Sequence, residues 1–243
     1  MYVKLKTKLF IHQNIPYSFN WNKHHHKEIY SQITANREEL NTLKKHFKRI
    51  YDGMIPNNLF NSRNLPRISQ FKIKGIKTAF IRSFSKKLIR SGKIKYHGSN
   101  SKLPQQVQKV IDIYKVNGIT GVPGHEPILK NILIKDNNSI AIEVPVWNEA
   151  KSKLITGHID LIQIEDDVVK VIDYKPEGNF LFSLPQVAMY GFLVKSKLNI
   201  NNLRCISFNK EEAWEYDPNI LISDIKDYLI SHRINERPWE NFL

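Results

Sequence analysis

Residues 157–176 read GHIDLIQIEDDVVKVIDYKP, and no other stretch constrains the fold as tightly. Apolar residues dominate it, yet Asp160, Asp173 and Lys175 stand inside the two apolar runs. Charges among buried strand residues are costly unless they are paired, hydrogen-bonded or bound to a metal. The runs 154–164 and 168–175 predict two strands, with Asp166-Asp167 as a tight hairpin turn that lacks the usual glycine. Period two puts Asp160 on one face with His158 and Ile162, and Asp173 on one face with Lys175. Antiparallel pairing across the turn then sets Asp160 opposite Asp173. Two facing carboxylates repel, and one pKa is driven up unless a cation lies between them. A hard divalent cation, Mg²⁺ or Mn²⁺, answers that repulsion. Lys175, one pleat on, is then placed to hold an attacking water or to stabilise charge on a phosphate, the requirements of metal-assisted phosphodiester hydrolysis. The other reading of these residues is a surface hairpin whose acids face solvent, Lys175 pairing with one of them.

The rest of the chain changes period as it goes. MYVKLKTKLFI alternates apolar residues with Lys4, Lys6 and Lys8, which predicts a strand and not a signal peptide. Residues 12–35, with His24, His25 and His26, read as an exposed polar loop. Asn36 and Glu39 form an N-cap signature before Leu40, Leu43, Phe47 and Ile50, a helix that Gly53 ends; Lys44, Lys45, Lys48 and Arg49 occupy its other face. After a polar loop at 54–67, a second helix is expected from Ser69, with Ile73, Ile76, Phe80, Phe84 and Leu88 as its stripe and Gly92 as its stop. Lys74, Lys77, Arg82, Lys86, Lys87 and Arg90 fill its remaining surface. A third helix is expected at 104–117. From residue 139, Ile140, Ile142, Val144 and Val146 alternate with Glu143, Pro145 and Trp147, a strand with one apolar face. After the hairpin come a helix capped by Ser183 and running to Lys195, a strand at 203–208, and a last helix at 219–232. The order predicts an α+β or mixed α/β core with an antiparallel-to-mixed sheet flanked by helices.

Charge is distributed unevenly. Residues 1–100 hold 21 Lys and Arg against 4 Asp and Glu, while the remaining residues hold 16 against 19. An excess confined to one part of the chain suggests a polyanionic partner, nucleic acid before an anionic membrane surface, beside the plainer reading of solvated lysines. A single cysteine, Cys205, leaves no internal disulfide and no cysteine-rich zinc or iron–sulfur site, so an intracellular protein is expected. No apolar run reaches membrane-spanning length.

Four short motifs in order resemble a known family. Gly157-x-x-Asp160 followed by Asp173-Tyr174-Lys175 is similar to the metal-binding core of the PD-(D/E)XK nuclease superfamily. Gln186-Val-Ala-Met-Tyr190 resembles the Q-x-x-x-Y motif of its RecB-like branch, and Gly121-Val-Pro-Gly-His125 resembles the segment by which that branch supplies a histidine. The motifs cover residues 121–190; upstream, Leu65-Pro-Arg-Ile-Ser is loosely similar to the start of such domains. The resemblance implies a restriction-endonuclease-like core over residues 101–243, while charge and helical periodicity make residues 1–100 a basic, mainly helical nucleic-acid-binding region packed on it. It implies that His125, Asp160 and Asp173 ligate the metal, with the Tyr174 carbonyl as a further ligand and Glu143 as an acid near it. Lys175 would be the catalytic lysine, and Gln186 and Tyr190 would orient the site or touch the nucleic-acid backbone. The chain departs from the branch in lacking four iron–sulfur cysteines and in setting Pro123 and Pro127 around His125.

These readings lead to a divalent-metal-dependent deoxyribonuclease, an exonuclease on single-stranded or free-ended DNA in repair, recombination or replication, with the DNA held by phosphate contacts of the basic helices and by stacking from Phe80 or Phe84. RNA remains an alternative substrate. The alternatives of function are an endonuclease of the same fold, a nucleic-acid-binding protein that does not cleave, and a membrane-surface or protein-interaction module.

Overall fold

The computed structural model describes residues 4–33, 37–150 and 153–243. Eight strands form one sheet: β1 (Lys6–His12), β2 (Ile15–Trp21), β3 (Ile94–His97), β4 (Ser139–Asn148), β5 (Ile155–Glu165), β6 (Val168–Tyr174), β7 (Leu203–Phe208) and β8 (Ala213–Tyr216). Their order across the sheet is β1-β2-β4-β5-β6-β7-β8-β3. Every neighbouring pair is antiparallel except β6 and β7, which run parallel. Parallel neighbours need a crossover, and α7 (Phe180–Leu198) supplies it. The fold is therefore α+β, a mostly antiparallel mixed sheet flanked by helices.

Adjacent strand residues fall into separate cores, as period two requires. Val171 and Ile162 join the larger core with α7 and α2 (Arg37–Tyr51), while Ile172 and Leu161 join a smaller one with α5 (Lys102–Val116) and α6 (His125–Lys135). Each fully buried aliphatic side chain contributes about 1.5–3 kcal/mol. The turn between β5 and β6 is as expected: Asp166 and Asp167 have φ of +50° and +62°, which aspartate tolerates better than most residues. Helix α2 buries Leu40, Leu43, Phe47 and Ile50, and Gly53 follows at φ +86°. Val3 of the expected first strand and Asn36, the expected cap of α2, lie outside the described residues.

Several expectations need correction. Residues 12–35 are not an exposed loop: they contain β2 and α1 (Lys23–Gln32), and His25 and His26 are buried. The burial is tolerated because His25 Nδ1 lies 3.0 Å from the Ser139 carbonyl and His26 Nδ1 accepts from the Trp21 indole at 3.1 Å. Within 54–67 a short helix, α3 (Asn57–Phe60), buries Phe60. The second basic helix begins not at Ser69 but at Thr78, as α4 (Thr78–Arg90). Before it, Ile73 donates its N–H to the Phe182 carbonyl at 2.9 Å and Gly75 adopts φ +74°, so this segment is committed to α7 and not to a helix of its own. Its buried stripe consequently contains Ile81, while Phe80 is half exposed. Helix α7 starts at Phe180 because the Asn179 side chain, not Ser183, accepts the Leu181 N–H at 2.9 Å. The final helix divides into a 3₁₀ turn at 218–221 and α8 (Asp224–Ser231). Strands β3 and β8 and helix α6 had no counterpart in the local pattern.

The two regions expected on either side of residue 100 share one sheet. Strands β1 and β2 extend one edge beside β4, and β3 closes the opposite edge beside β8. No described helix is long and apolar enough to cross a membrane.

Candidate active site

Strands β5 and β6 pair from Glu165–Val168 to Leu161–Ile172, and the next positions along this register are Asp160 and Asp173. Both are buried. Asp160 Oδ2 accepts the Tyr174 N–H at 2.8 Å. Asp173 Oδ1 accepts from the Gln186 amide at 3.2 Å, and its Oδ2 stands 2.6 Å from the Lys175 ammonium. That second contact lacks hydrogen-bond alignment, so it is an ion pair. The Lys175 backbone N–H donates to the Phe208 carbonyl at 2.8 Å, tying the residue to β7 as it leaves the sheet.

Helix α7 crosses behind these acids. Gln186 and Tyr190, four residues apart, share a helical face, and the Gln186 amide lies 3.3 Å from the Tyr190 hydroxyl. Gly157 makes the crossing close. A Cβ there would stand 2.6 Å from the Tyr190 ring and 3.1 Å from Ile68. The motif glycine is a clearance requirement between strand and helix.

At Glu143 and Asp160 the regular alternation fails. The ladder between β4 and β5 pairs Ile142 with Leu161 and Val144 with Ile159, and Glu143 and Asp160 lie between those pairs. Ile159 belongs to the larger core and Leu161 to the smaller, although residues two apart on a regular strand share a face. The same switch separates Val144 from Ile142. Glu143 has φ +50°, which accounts for the interruption and is an uncommon conformation for this residue type. Asp160 thus keeps His158 as a neighbour, as expected, but Ile162 joins the larger core together with Ile159, three residues away, which a regular pleat would put on the opposite face. Donor atoms of Glu143, His158 and Asp160 all lie within 4.8 Å of one another, the one such group of three among the described residues.

His125 opens α6, whose first turn accommodates Pro127 because the leading N–H groups of a helix have no intrahelical partner. Its Nε2 lies 3.1 Å from the Tyr174 carbonyl oxygen. The expected histidine and the expected carbonyl therefore meet each other on the smaller-core side of the sheet. His125 is not in the 4.8 Å group.

The electrostatics follow from crowding. Burial holds the Asp160 carboxyl well above the usual carboxylate range, and Asp173 and Glu143 push the same way. Burial also raises Asp173 against the opposing pull of Lys175. Burial, then Asp173 and Glu126, push Glu143 up to about 7. Burial works against the Lys175 ammonium, but Asp173 and Asp160 outweigh it and raise its pKa. Burial lowers His125, with the Tyr174 carbonyl and Asp173 opposing. One lysine thus serves Asp173 and Asp160, while Glu143 crowds the same acids and its Oε2 is buried without a hydrogen-bond partner. This donor set suits a divalent cation.

An open groove reaches the site from the surface. Ser69, Lys72, Asn179, Phe182 and Ser183 line it together with Lys175 and Gln186. Lys72 was not singled out by the sequence, because the helix expected from Ser69 gave it no distinct place, and Ser69 was named as a helix start and not as a groove residue. The expected phosphate-binding residues are exposed on two other surfaces. On α2, Lys44 sits over the Tyr30 ring, Lys48 pairs with Asp52 at 2.5 Å and Arg49 lies over Trp147; Lys45 is exposed beside them. Lys6 and Lys23 join Lys44, Lys45 and Lys48 around one pocket. Arg82, Lys86, Lys87 and Arg90 are exposed on α4, Lys77 caps it, and Lys74 pairs with Glu236 at 3.1 Å. None of these ten lines the groove that reaches Lys175. Phe84 is buried and stacked on Tyr228 at 3.6 Å, so it is not free to stack on a base; Phe80 is 49% exposed.

No family model, curated protein or solved structure matches the chain.

Proposed function

We propose that this protein is a divalent-metal-dependent deoxyribonuclease with a restriction-endonuclease-like core, similar to the RecB-like branch of the PD-(D/E)XK superfamily. The observation that carries the reading is the contact set of Asp173: Lys175 on one oxygen, Gln186 on the other, and Asp160 next in register across β5. A surface hairpin does not account for it, because Asp160 and Asp173 are 7% and 1% exposed.

Asp160, Asp173, His125 and the Tyr174 carbonyl would hold Mg²⁺ or Mn²⁺, with Glu143 beside them. A bound divalent ion supplies Lewis acidity toward a phosphoryl oxygen and lowers the pKa of a coordinated water. Hydrolysis joins a water oxygen to phosphorus and breaks one P–O ester bond, leaving a phosphate monoester and a hydroxyl. Lys175, held by Asp173, presents a positive charge that orients the water and stabilises charge building on the phosphate oxygens. Gln186 fixes the Asp173 carboxylate, and Tyr190 packs the helix against Gly157. Single-stranded or free-ended DNA, processed from an end in repair, recombination or replication, is the proposed substrate, approaching Lys175 along the groove that Lys72 lines.

The test is incubation of purified protein with labelled single- and double-stranded DNA and RNA in Mg²⁺, Mn²⁺ or EDTA. Metal-dependent cleavage that disappears in Asp173→Ala and Lys175→Ala is expected. Cleavage surviving both substitutions removes the chemistry from this site, and binding without cleavage by the native chain leaves a nucleic-acid-binding protein. Mononucleotide products indicate an exonuclease, and a ladder indicates an endonuclease.

A further inference from the structure

We infer that Glu143, His158 and Asp160 form a divalent-cation site whose imidazole donor selects a first-row transition ion such as Mn²⁺ over Mg²⁺. This deepens the nuclease reading and rests on it for its catalytic meaning. The three donor groups come within 4.8 Å of one another. Two ligands on a common ion at about 2.1 Å stand roughly 3 Å apart when adjacent and 4.2 Å when opposed, so small side-chain adjustments complete the site.

His158 is the telling member. The histidines packed in the core each hydrogen-bond through one ring nitrogen, His12 with Thr156, His25 with the Ser139 carbonyl, His26 with Trp21 and His46 with the Pro145 carbonyl, although His12 Nδ1 and His26 Nε2 are buried without a partner; among the described residues, His158 has no hydrogen bond through either nitrogen. The His158 side chain is 12% exposed, its Nδ1 is buried without a partner, and its Nε2 lies 3.5 Å from Glu143 Oε2, too far for a good hydrogen bond. Glu143 Oε2 is itself buried and unpartnered. Nε2 of His158 and Oε2 of Glu143 thus face each other at 3.5 Å without a good hydrogen bond, a spacing that one cation between them would bridge. Tyr17 packs on the imidazole at a centroid distance of 4.0 Å and fixes its plane. Magnesium favours an all-oxygen octahedron, whereas imidazole nitrogen suits zinc, iron and nickel; manganese, though it also takes oxygen ligands, accepts a nitrogen donor more readily than magnesium does. Asp160 belongs to this group and also lies beside Asp173, so the site adjoins the one proposed above.

The experiment is titration calorimetry of chelator-stripped protein with Mn²⁺ and with Mg²⁺, on the native chain, His158→Phe and His158→Ala. The native chain is expected to bind Mn²⁺ at least about tenfold more tightly than Mg²⁺, and both variants to lose that preference with little change toward Mg²⁺. Native-like preference in the variants overturns the role of His158 and leaves the nuclease reading standing. No binding of either ion by the native chain removes both. In case the variants do not fold, the ring ¹⁵N signals of His158 in the native chain are followed as Zn²⁺ is added. Ligation shifts them, and unshifted signals in a Zn²⁺-saturated protein refute the assignment.

Discussion

The side-chain amide of Gln186 donates to Asp173 Oδ1 at 3.2 Å, from the helix that crosses between β6 and β7. With Lys175 on the other oxygen, the carboxylate is held from two elements. Removing the amide frees one oxygen but leaves the fold-defining contacts of α7 in place. Gln186→Ala is expected to lower kcat about tenfold with little change in KM, whereas Gln186→Glu sets a further carboxylate against Asp173 and lowers activity more. Steady-state kinetics on one DNA substrate separates the two variants; equal activities would mean that the amide does not position Asp173.

Asp160 and Lys175 are expected to behave oppositely in stability and alike in activity. Asp160→Asn removes one of three crowded carboxyls, so metal-free protein gains about 1 kcal/mol in urea unfolding while cleavage is lost. Lys175→Met leaves the buried Asp173 without its cation, and the same measurement in EDTA should show a loss of about 3 kcal/mol.

Glu143 makes stability depend on pH. Its folded-state pKa of about 7 lies above the ordinary value of 4.5, so its contribution is fully present below pH 4.5 and is lost as pH rises through 7. In EDTA, Glu143→Gln should match the native chain near pH 4.5 and exceed it by roughly 2–3 kcal/mol at pH 8. Urea unfolding at the two pH values checks this, and a pH-independent difference contradicts it.

Gly157→Ala should destabilise the protein by about 1–3 kcal/mol and reduce cleavage, because the added methyl meets Tyr190 at 2.6 Å and both Tyr190 and Ile68 are buried. Gly98→Ala is the control: its nearest neighbour is 3.9 Å away, and no change is expected.

Lys72 is exposed and lines the groove at Lys175, a position suited to the strand backbone. Lys72→Ala should raise KM several-fold, leave kcat near native and reduce the salt dependence of DNA binding by about one ion. If Lys44→Ala has the larger effect in fluorescence-anisotropy titrations, the strand instead follows α2.

Whatever depends on local period and turn length can be read from the amino-acid order alone. A two-residue turn between alternating strands sets the register of β5 and β6, so the adjacency of Asp160 and Asp173 was legible before any contact was known. The same local geometry placed Gln186 and Tyr190 on one face of α7 and gave α2 its buried stripe. Tertiary structure decided what joins distant parts of the chain. It set β2 beside β4 and brought Lys72 to Lys175. It buried His25 and His26 by giving them partners, and it occupied Phe84 with Tyr228. It also turned Glu143 into a left-handed conformation in mid-strand, where alternation implies a regular pleat. Periodicity records which residues share a face of one element, but not which element covers that face. That choice is made by burial and hydrogen bonding summed over the whole sheet.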